Sequence, residues 1–409
     1  MTLQPQMSAR TKIFISAGEA SGEHYGTLLI PALRRLVPEA EFFGLGGQRM
    51  EALGFRRVVR AEDVAVMGIT EVIWHMPQIY REYRRLKAAI KVEKPDAAIL
   101  IDFPDVNLSL AKHLKRAGIP VIYFVSPQLW AWKKYRIREV QRYVDRMLVI
   151  FPFEERFYRE HGVEATFVGH PLADLGRPET TREDFARESA GGSSKHLDPT
   201  RQWIGLLPGS RLKEIRLNLP EMLRAASLLQ RQGDYEFLLP LAPTLTATQR
   251  AEVEGMLPAR TNIAPRVTIT NDARATLQHA RASVVASGTA TVEAALIGNP
   301  FVVVYRVSPL SYAVAERVVD VPHVAMVNLI AGRRAVPELI QGDFTAENVV
   351  SHLQPLLGEG QPRAEMLASL REISGMLKAE GNESGESAID RAARITVEVL
   401  NKSSQVTAA

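Results

Sequence analysis

The chain has 409 residues, of which 46% are hydrophobic and 23% are charged, so it can bury a sizeable core and is not a disordered or low-complexity protein. This length predicts two domains. The formal net charge of +4 is too small an excess to indicate nucleic-acid binding. The absence of cysteine excludes disulfide scaffolds, thiolate nucleophiles, iron-sulfur clusters and cysteine-ligated zinc.

The N-terminus contains only a short apolar run, Ile13 to Ser16, and a Gly-Glu pair follows it instead of a small-residue cleavage site. We therefore expect no secretory signal. No run of about 18 consecutive apolar residues, the length needed to cross a bilayer, occurs in the sequence. Any membrane contact is therefore expected to be peripheral.

The first half of the chain alternates short apolar runs with longer helical patterns. Unbroken apolar strands separated by helices indicate a parallel sheet that is buried on both faces. The predicted strands are Lys12 to Ser16, Glu41 to Gly44, Ala97 to Ile101, Pro120 to Val125, Arg146 to Ile150 and Ala165 to Val168. Residues 1–175 are therefore predicted to form a Rossmann-like domain.

A second domain of the same type follows a break in the pattern. Residues 176–201 contain GGSSKHLDP and are predicted to be a linker or surface excursion. The alternation then restarts over residues 202–345, with strands predicted at Trp203 to Leu207, Glu236 to Leu241, Arg266 to Thr270, Ala282 to Ala286 and Phe301 to Tyr305. Residues 346–409 are predicted to be closing helices and a tail that pack across both domains. The predicted fold class is α/β, with two doubly wound parallel sheets facing a cleft.

The strand Trp203 to Leu207 runs into Pro208-Gly209-Ser210-Arg211 and then into a helical pattern. Gly209 permits close backbone approach, the start of the helix supplies free N–H donors, and Arg211 adds a forked cation. We therefore predict a phosphate site at Gly209, Ser210 and Arg211. The alternative is an ordinary strand-to-helix turn with a surface arginine.

A second candidate anion site follows the strand that ends at Ala286. Its backbone and hydroxyl donors would come from Ser287, Gly288, Thr289 and Ala290. Glu293, about one turn into the next helix, could accept hydrogen bonds from the ribose hydroxyls, or could simply stabilise the helix dipole. No Asp-X-Asp triplet follows a strand and the histidines are scattered. We therefore expect Arg211 and helix termini, and no divalent metal, to neutralise a leaving group.

The strand Ala97 to Ile101 ends at DFPDVN, which places Asp102 at the carboxyl edge of the first sheet. Asp105, which follows a proline and precedes a helical run, is predicted to be the helix N-cap. Asp102 has no such duty and is our candidate general base, because partial burial can raise the pKa of a carboxyl group. From spacing alone, a buried aspartate satisfied by loop N–H groups is an equal alternative.

The first strand leads into GEASGE at 18–23, which fits a phosphate loop poorly because Glu19 and Glu23 would repel an anion. We predict that Ser21 is the helix cap. Glu19 is predicted to accept hydrogen bonds from sugar hydroxyls or to act as a partner to Asp102.

An apolar segment at 64–76 precedes a helix with Arg81, Arg84 and Arg85. Such a pair suits an interfacial lipid contact, although the pattern alone favours an ordinary crossover helix with a charged face.

Trp130 and Trp132 share one loop, where core packing is the default and an acyl or sugar pocket is the alternative. For His170, beside the domain junction, a hinge or structural role is favoured over substrate contact.

Motifs along almost the whole chain match one known family. They are GEASGE at 18–23, AVMGITEV at 65–72, DFPDVN at 102–107, SPQLWAWK at 126–133, FPFE at 151–154, VGHPLAD at 168–174, LLPGSR at 206–211, ASGTATVE at 286–293 and MVNLIAGR at 326–333. Together they resemble the lipid-A-disaccharide synthases, from about residue 12 to about residue 398. The departures are small and include Glu23 where the family often has Asp, and Val106 where an aromatic residue is frequent.

This resemblance implies a GT-B fold and inverting transfer of diacylglucosamine from UDP-diacylglucosamine to the 6-hydroxyl of diacylglucosamine 1-phosphate. It implies that Asp102 is the base in an acceptor domain, that Arg211 and Glu293 lie in the nucleotide site with Asn328 beside it, and that Glu19 has a less defined catalytic role. It also favours the membrane interpretation of residues 64–76. We accordingly expect a cytoplasmic protein that contacts the inner membrane peripherally, with no resident cofactor and no nucleic-acid partner.

Two alternatives remain open at this point. A UDP-N-acetylglucosamine epimerase on the same fold would handle soluble sugars and would need no exposed apolar platform. A non-catalytic nucleotide-sugar sensor would bind UDP but would release none in the presence of acceptor.

Overall fold

The computed structural model describes residues 10–64, 69–189, 197–258, 264–308, 312, 316, 321–379 and 385–408, with the backbone alone at residues 20, 69–76 and 404–408. The chain forms two compact units. The first comprises Met1–Asp174 and Leu377–Ala409, and the second comprises Leu175–Met376. The chain therefore passes between the units twice, and its last helix belongs to the first unit.

The first unit contains a seven-stranded parallel sheet in the order β3-β2-β1-β4-β5-β6-β7. Its strands are β1 Lys12–Ala17, β2 Glu41–Gly46, β3 Arg56–Arg60, β4 Ala97–Ile101, β5 Val121–Phe124, β6 Arg146–Val149 and β7 Ala165–Phe167. Its helices are α1 Ala20–Leu36, α2 Gln48–Glu51, α3 Ile69–Glu93, α4 Pro104–Arg116, α5 Ile137–Tyr143, α6 Pro152–Glu160 and, from the end of the chain, α15 Ala388–Ala408. Every residue of β4 is fully buried, as expected for a strand covered by helices on both faces.

The second unit contains a six-stranded sheet in the order β10-β9-β8-β11-β12-β13. Its strands are β8 Gln202–Leu207, β9 Tyr235–Pro240, β10 Val267–Thr270, β11 Ala282–Ala286, β12 Phe301–Tyr305 and β13 Glu338–Ile340. Its helices are α7 Arg182–Ser189, α8 Leu212–Gln230, α9 Ala247–Met256, α10 Ala273–His279, α11 Thr289–Ile297, α12 Met326–Ala331, α13 Ala346–Leu357 and α14 Gln361–Met376. All of its strand pairs are parallel, and the predicted fold class is confirmed.

The sequence patterns did not predict β3 or β13. Both are edge strands, and edge strands are often short or charged because one side has no partner strand. β3 reads RRVVR, and β13 has three residues. In addition, α7 lies inside the segment 176–201 that the composition predicts to be a linker.

Among the described residues, no helix is both long and apolar enough to cross a bilayer.

Candidate active site

Asp102 lies in the turn between β4 and α4, at the carboxyl edge of the first sheet. Asp102 and Phe103 both have a φ of 47°. Residues other than glycine rarely adopt this left-handed backbone conformation, and each one that does destabilises the fold by of order 1 to 3 kcal/mol. Such backbone strain is concentrated at functional sites, and it favours a functional role for Asp102.

The Asp102 carboxyl group is half-buried, and its pKa is raised to about 6. Burial is the main cause, the negative charge of Glu19 raises the pKa further, and the Phe103 N–H donates to the carboxylate and opposes the rise. A carboxyl group with a pKa near neutral pH is mostly ionised at pH 7 to 8 and is also basic enough to accept a hydroxyl proton. This environment suits a general base.

Glu19 lies at the start of α1, close enough to Asp102 to affect its pKa. The preceding Gly18 packs directly against the Phe103 ring, since a Cβ atom at this position would lie 2.3 Å from the ring. Glycine is therefore required for the two turns to approach each other. The charge of Glu19 acts on Asp102, and the role of Glu19 stays a prediction.

Two predicted helix caps are wrong. α4 begins at Pro104 with Phe103 as its N-cap, because proline is favoured in the first helical position. Asp105 instead forms an ion pair with Arg136, with 2.6 Å between Oδ1 and the guanidinium. α1 begins at Ala20 with Glu19 as its N-cap, so Ser21 lies inside the helix.

A buried carboxylate in the same unit was not predicted from the sequence. Glu154 is 2% exposed, and it accepts hydrogen bonds from Ser126 Oγ at 2.6 Å, Trp130 Nε1 at 3.1 Å and the Phe151 N–H at 3.2 Å. Burial raises its pKa to about 7. The position of Glu154 at N3 of α6, three residues after the N-cap, is a signal that could have indicated a capping role. Trp130 is buried, whereas Trp132 is 41% exposed.

His170 is 2% exposed, and its Nδ1 accepts a hydrogen bond from the Leu172 N–H at 3.2 Å. Burial lowers its pKa to about 4, so the ring is neutral at physiological pH. The backbone N–H of His170 donates to the Leu377 carbonyl at 2.8 Å. These contacts support the structural interpretation of His170.

In the second unit, the two candidate anion turns follow neighbouring strands, since β8 pairs with β11. Each turn contains a glycine in the left-handed region, Gly209 with a φ of 126° and Gly288 with a φ of 152°. Because the carboxyl ends of parallel strands meet at the same edge of a sheet, the two turns lie side by side. The sequence alone could not decide which of them has free donors.

In the first turn, at residues 208–211, a carboxylate from α8 already accepts hydrogen bonds from the backbone. The Oε2 atom of Glu214 accepts the N–H of Ser210 at 3.0 Å and that of Arg211 at 3.3 Å. The Arg211 guanidinium lies 3.5 Å from the other carboxylate oxygen, and its side chain is 69% exposed. The backbone donors predicted to bind phosphate at Ser210 and Arg211 are therefore occupied, while the guanidinium remains accessible. Glu214 was not predicted, although its spacing from Arg211 is that of a capping box.

The second turn is open. A Cβ atom built on Gly288 would meet no heavy atom within 4 Å, and Gly288 and Thr289 are exposed. Ser287 Oγ donates to the Val324 carbonyl at 3.1 Å, so its hydroxyl is used within the protein. The start of α11, including the N–H of Ala290, therefore has both space and donors for an anion.

Glu293 is half-buried on α11, where burial raises its pKa and the Arg274 charge opposes this rise. Within the described part of the chain, its carboxylate makes no hydrogen bond or ion pair. A half-buried carboxylate without a partner is suited to accept hydrogen bonds from a ligand.

Asn328 is fully buried, and its amide is engaged within the protein. Oδ1 accepts the N–H groups of Ala335 and Val336 at 2.8 and 2.9 Å, and Nδ2 donates to the Val336 carbonyl at 3.0 Å and to Glu338 at 2.7 Å. Glu338 in turn accepts the Val324 and Ala325 N–H groups. Asn328 therefore holds the segment that Ser287 contacts, and its side-chain amide is fully used within the protein. Its predicted place beside the nucleotide stays a prediction.

The apolar segment predicted at 64–76 falls mostly outside the described residues, because the structure omits 65–68 and the side chains of 69–76. Further along α3, Glu82 is 3% exposed and forms ion pairs with Arg81 at 3.1 Å and Arg85 at 2.6 Å. Arg84 and Tyr80 face solvent. Two of the three predicted basic residues therefore neutralise a buried carboxylate.

Comparison with known proteins decides the family. A sequence profile described as lipid-A-disaccharide synthetase matches residues 13–392. The lipid-A-disaccharide synthase of Acidobacterium capsulatum is 64% identical over 404 residues, which cover 97% of this chain and 98% of that protein. The chain belongs to the lipid-A-disaccharide synthase family. The predicted resemblance is confirmed, and this member of the family is a glycosyltransferase.

Solved structures support the GT-B fold of this lipid-A-disaccharide synthase family member. The glycosyltransferase of kitacinnamycin is similar with a TM-score of 0.60 and 14% identity, over 96% of this chain and 100% of that one. The UDP-GlcNAc 2-epimerase of Neisseria meningitidis, bound to UDP-GlcNAc, is similar with a TM-score of 0.57 and 13% identity, over 96% and 99%. At these identities the likeness concerns the fold alone.

Proposed function

We propose that this chain transfers the 2,3-diacylglucosaminyl group of a UDP donor to the 6-hydroxyl of 2,3-diacylglucosamine 1-phosphate, and that it releases UDP and the β-1′,6-linked disaccharide 1-phosphate. Family membership supports the type of reaction. The observation that favours it most within the site is Asp102, a half-buried carboxyl group with a pKa of about 6 in a strained turn at the carboxyl edge of the first sheet.

The donor diphosphate is proposed to bind the open turn at residues 288–290, where the free N–H groups and the dipole of α11 favour an anion. Arg211 on the adjacent turn supplies an exposed guanidinium that can bind phosphate oxygens in a forked geometry. The Glu293 carboxylate has no protein partner among the described residues, and it accepts hydrogen bonds from the ribose hydroxyls. Gly209 and Ser210 shape the neighbouring turn around Glu214.

In the transfer step, the acceptor hydroxyl oxygen attacks the anomeric carbon while the bond from this carbon to the diphosphate oxygen breaks. The hydroxyl proton passes to the Asp102 carboxylate, and the negative charge that develops on UDP is stabilised by Arg211 and the start of α11. Inversion requires the base and the leaving group on opposite sides of the anomeric carbon. These groups neutralise the leaving group without a metal ion.

Both proposed substrates have acyl chains, so we propose that the protein works at the cytoplasmic face of the inner membrane through peripheral contact. Exposed aromatic and basic side chains of the first unit support this proposal. Tyr80 and Arg84 lie on the solvent side of α3, and Trp132 is exposed beside Lys133, whose ammonium lies 4.3 Å from the ring centroid. Aromatic rings and cations of this kind favour the interface of anionic bilayers.

The test is an in vitro transfer assay with UDP-diacylglucosamine and diacylglucosamine 1-phosphate, in which the disaccharide is identified by mass. The protein should form it in the presence of EDTA. UDP release without disaccharide would indicate hydrolysis, UDP binding without release would indicate a sensor, and recovery of an isomerised UDP-sugar would indicate an epimerase. Activity that EDTA removes and Mg²⁺ restores would contradict metal-independent transfer.

A further inference from the structure

The strained turn at Asp102 needs contacts that hold it in place. Asp102 and Phe103 are both in the left-handed region, which is stable only when the surroundings enforce it. The Asp102 N–H donates to the Phe124 carbonyl of β5 at 3.1 Å. That hydrogen bond fixes the backbone N–H of Asp102. The backbone carbonyl of Asp102 needs other contacts to hold it.

Asn107 supplies one of the missing contacts. It is fully buried in the second turn of α4, and its Nδ2 donates to the Asp102 carbonyl at 2.7 Å and to the Ile101 carbonyl at 3.1 Å. Its Oδ1 accepts the hydroxyl of Ser16, the penultimate residue of β1, at 2.6 Å. One amide therefore links the end of β1, which leads to Glu19, with the turn that contains Asp102.

Tyr123 supplies the other contact. It is fully buried on β5, and its hydroxyl donates to the same Asp102 carbonyl at 2.6 Å. Burial raises the pKa of Tyr123 well above its usual value, so the phenol stays protonated and remains a donor. A carbonyl oxygen has two lone pairs, and the hydrogen bonds from Asn107 and Tyr123 fill both.

We propose that Asn107 and Tyr123 are positioning residues for the general base: by holding the Asp102 carbonyl from two sides, they fix the left-handed backbone and thereby the direction of the carboxylate. This inference rests on the proposed function of Asp102. Neither residue contacts solvent, so neither acts on the substrate directly. Both act through one peptide group.

Loss of either hydrogen bond allows the strained turn to relax. A displacement of about 1 Å in a reacting group can reduce the rate about 100-fold, whereas the nucleotide site lies in the other unit and is not affected. Tyr123→Phe should therefore lower kcat by about 10- to 100-fold, with an unchanged Kd for UDP. Asn107→Ala should do the same, and because both donors serve one oxygen, the double variant should lose less than the product of the two single losses.

The pH dependence of kcat gives a readout that a purely structural role would not change. Burial and Glu19, the N-cap of α1, raise the pKa of Asp102, and the N–H of Phe103, the N-cap of α4, lowers it. On β5 the facing group, Tyr123, is neutral, and Asp105 on α4 is paired with Arg136. A relaxed turn exposes the carboxyl group and moves it from Glu19, so the acidic limb of the pH profile should move to lower pH in both variants.

The experiment compares Tyr123→Phe with the matched control Tyr158→Phe. Tyr158 is also fully buried in the first unit, and its hydroxyl also donates to a backbone carbonyl, that of Pro127 at 3.3 Å. For each full-length variant, kcat, KM, the pH profile from 5 to 9, the Kd for UDP and the thermal midpoint are measured. The expected result is a loss of kcat and a shifted acidic limb in Tyr123→Phe alone, with similar thermal midpoints for both variants.

Wild-type kcat and an unshifted pH profile in Tyr123→Phe, or an equal loss in Tyr158→Phe, would overturn the inference. Asp102→Asn separates this failure from that of the proposed function. If Asp102→Asn is inactive and Tyr123→Phe is normal, only the positioning role is wrong. If Asp102→Asn stays active, both the general base and its positioning are wrong.

Discussion

Replacing Asp102 by asparagine should abolish transfer and stabilise the protein at the same time. The pKa of Asp102 is about 6 in the folded chain, against a usual value of 3.8, and one pKa unit corresponds to about 1.4 kcal/mol. The ionised carboxylate therefore destabilises the folded first unit by about 3 kcal/mol at pH 8. Asparagine removes the charge and keeps an oxygen that can accept the Phe103 N–H.

The sign of the pH dependence follows from the raised pKa. Well below pH 3.8 the carboxyl group is protonated in both the folded and the unfolded chain, and its charge has no effect on stability. As pH rises from 3.8 to 6, the wild-type protein progressively loses free energy of unfolding because only the folded state resists ionisation, and above pH 6 the loss is complete. The variant has no group that titrates here. We therefore expect a stability gap in favour of the variant of about 0.5 kcal/mol at pH 4 and about 3 kcal/mol at pH 8.

The assay is urea denaturation of both proteins at pH 4 and pH 8, alongside measurements of transfer and of UDP binding. Glu154 and His170 also titrate in this range, but they are present in both proteins and cancel in the difference. Asp105→Asn is the matched control. Asp105 lies in the first turn of α4, three residues after Asp102, but its substitution removes an ion pair with Arg136, so it should not stabilise the protein. A gap of equal size at both pH values, or a less stable Asp102→Asn at pH 8, would refute the reasoning.

Three further predictions concern the nucleotide turn and the membrane. Arg211→Ala should weaken UDP binding by at least about tenfold, the loss expected for a charge-assisted phosphate contact, with uridine binding unchanged in calorimetry; equal UDP affinity would reject the phosphate role. Glu214→Gln, which preserves the cap but removes an anion from the turn, should tighten UDP binding several-fold at low salt and less at high salt; weaker binding at both would contradict this. Arg84→Glu should reduce binding to anionic vesicles in sedimentation by about fivefold, corresponding to about 1 kcal/mol per basic residue. Lys91→Glu, at the far end of the same helix, serves as the control. An equal loss of vesicle binding in both variants would reject α3 as the membrane contact.

The sequence alone determined the α/β class, most of the strands of the two sheets and the turns that follow them. Buried parallel strands are continuous apolar runs, so β4, β8 and β11 and the turns that follow them could be read directly. The edge strands β3 and β13 could not, because a strand with one free side needs no long apolar run. The starts of α1 and α4 also differed by a few residues from the predicted caps. At α4 the reason is Pro104, because proline is favoured in the first helical position.

Only the tertiary structure decided which polar groups are available to a ligand. Glu214 occupies one predicted anion turn and leaves the Gly288 turn open, and Asn328 uses its amide within the protein. The high pKa of Asp102 likewise depends on burial and on Glu19, which is far away in the sequence. Motif spacing records which residues follow a strand, but hydrogen bonds and desolvation depend on distances of a few ångströms that exist only once distant segments have packed together.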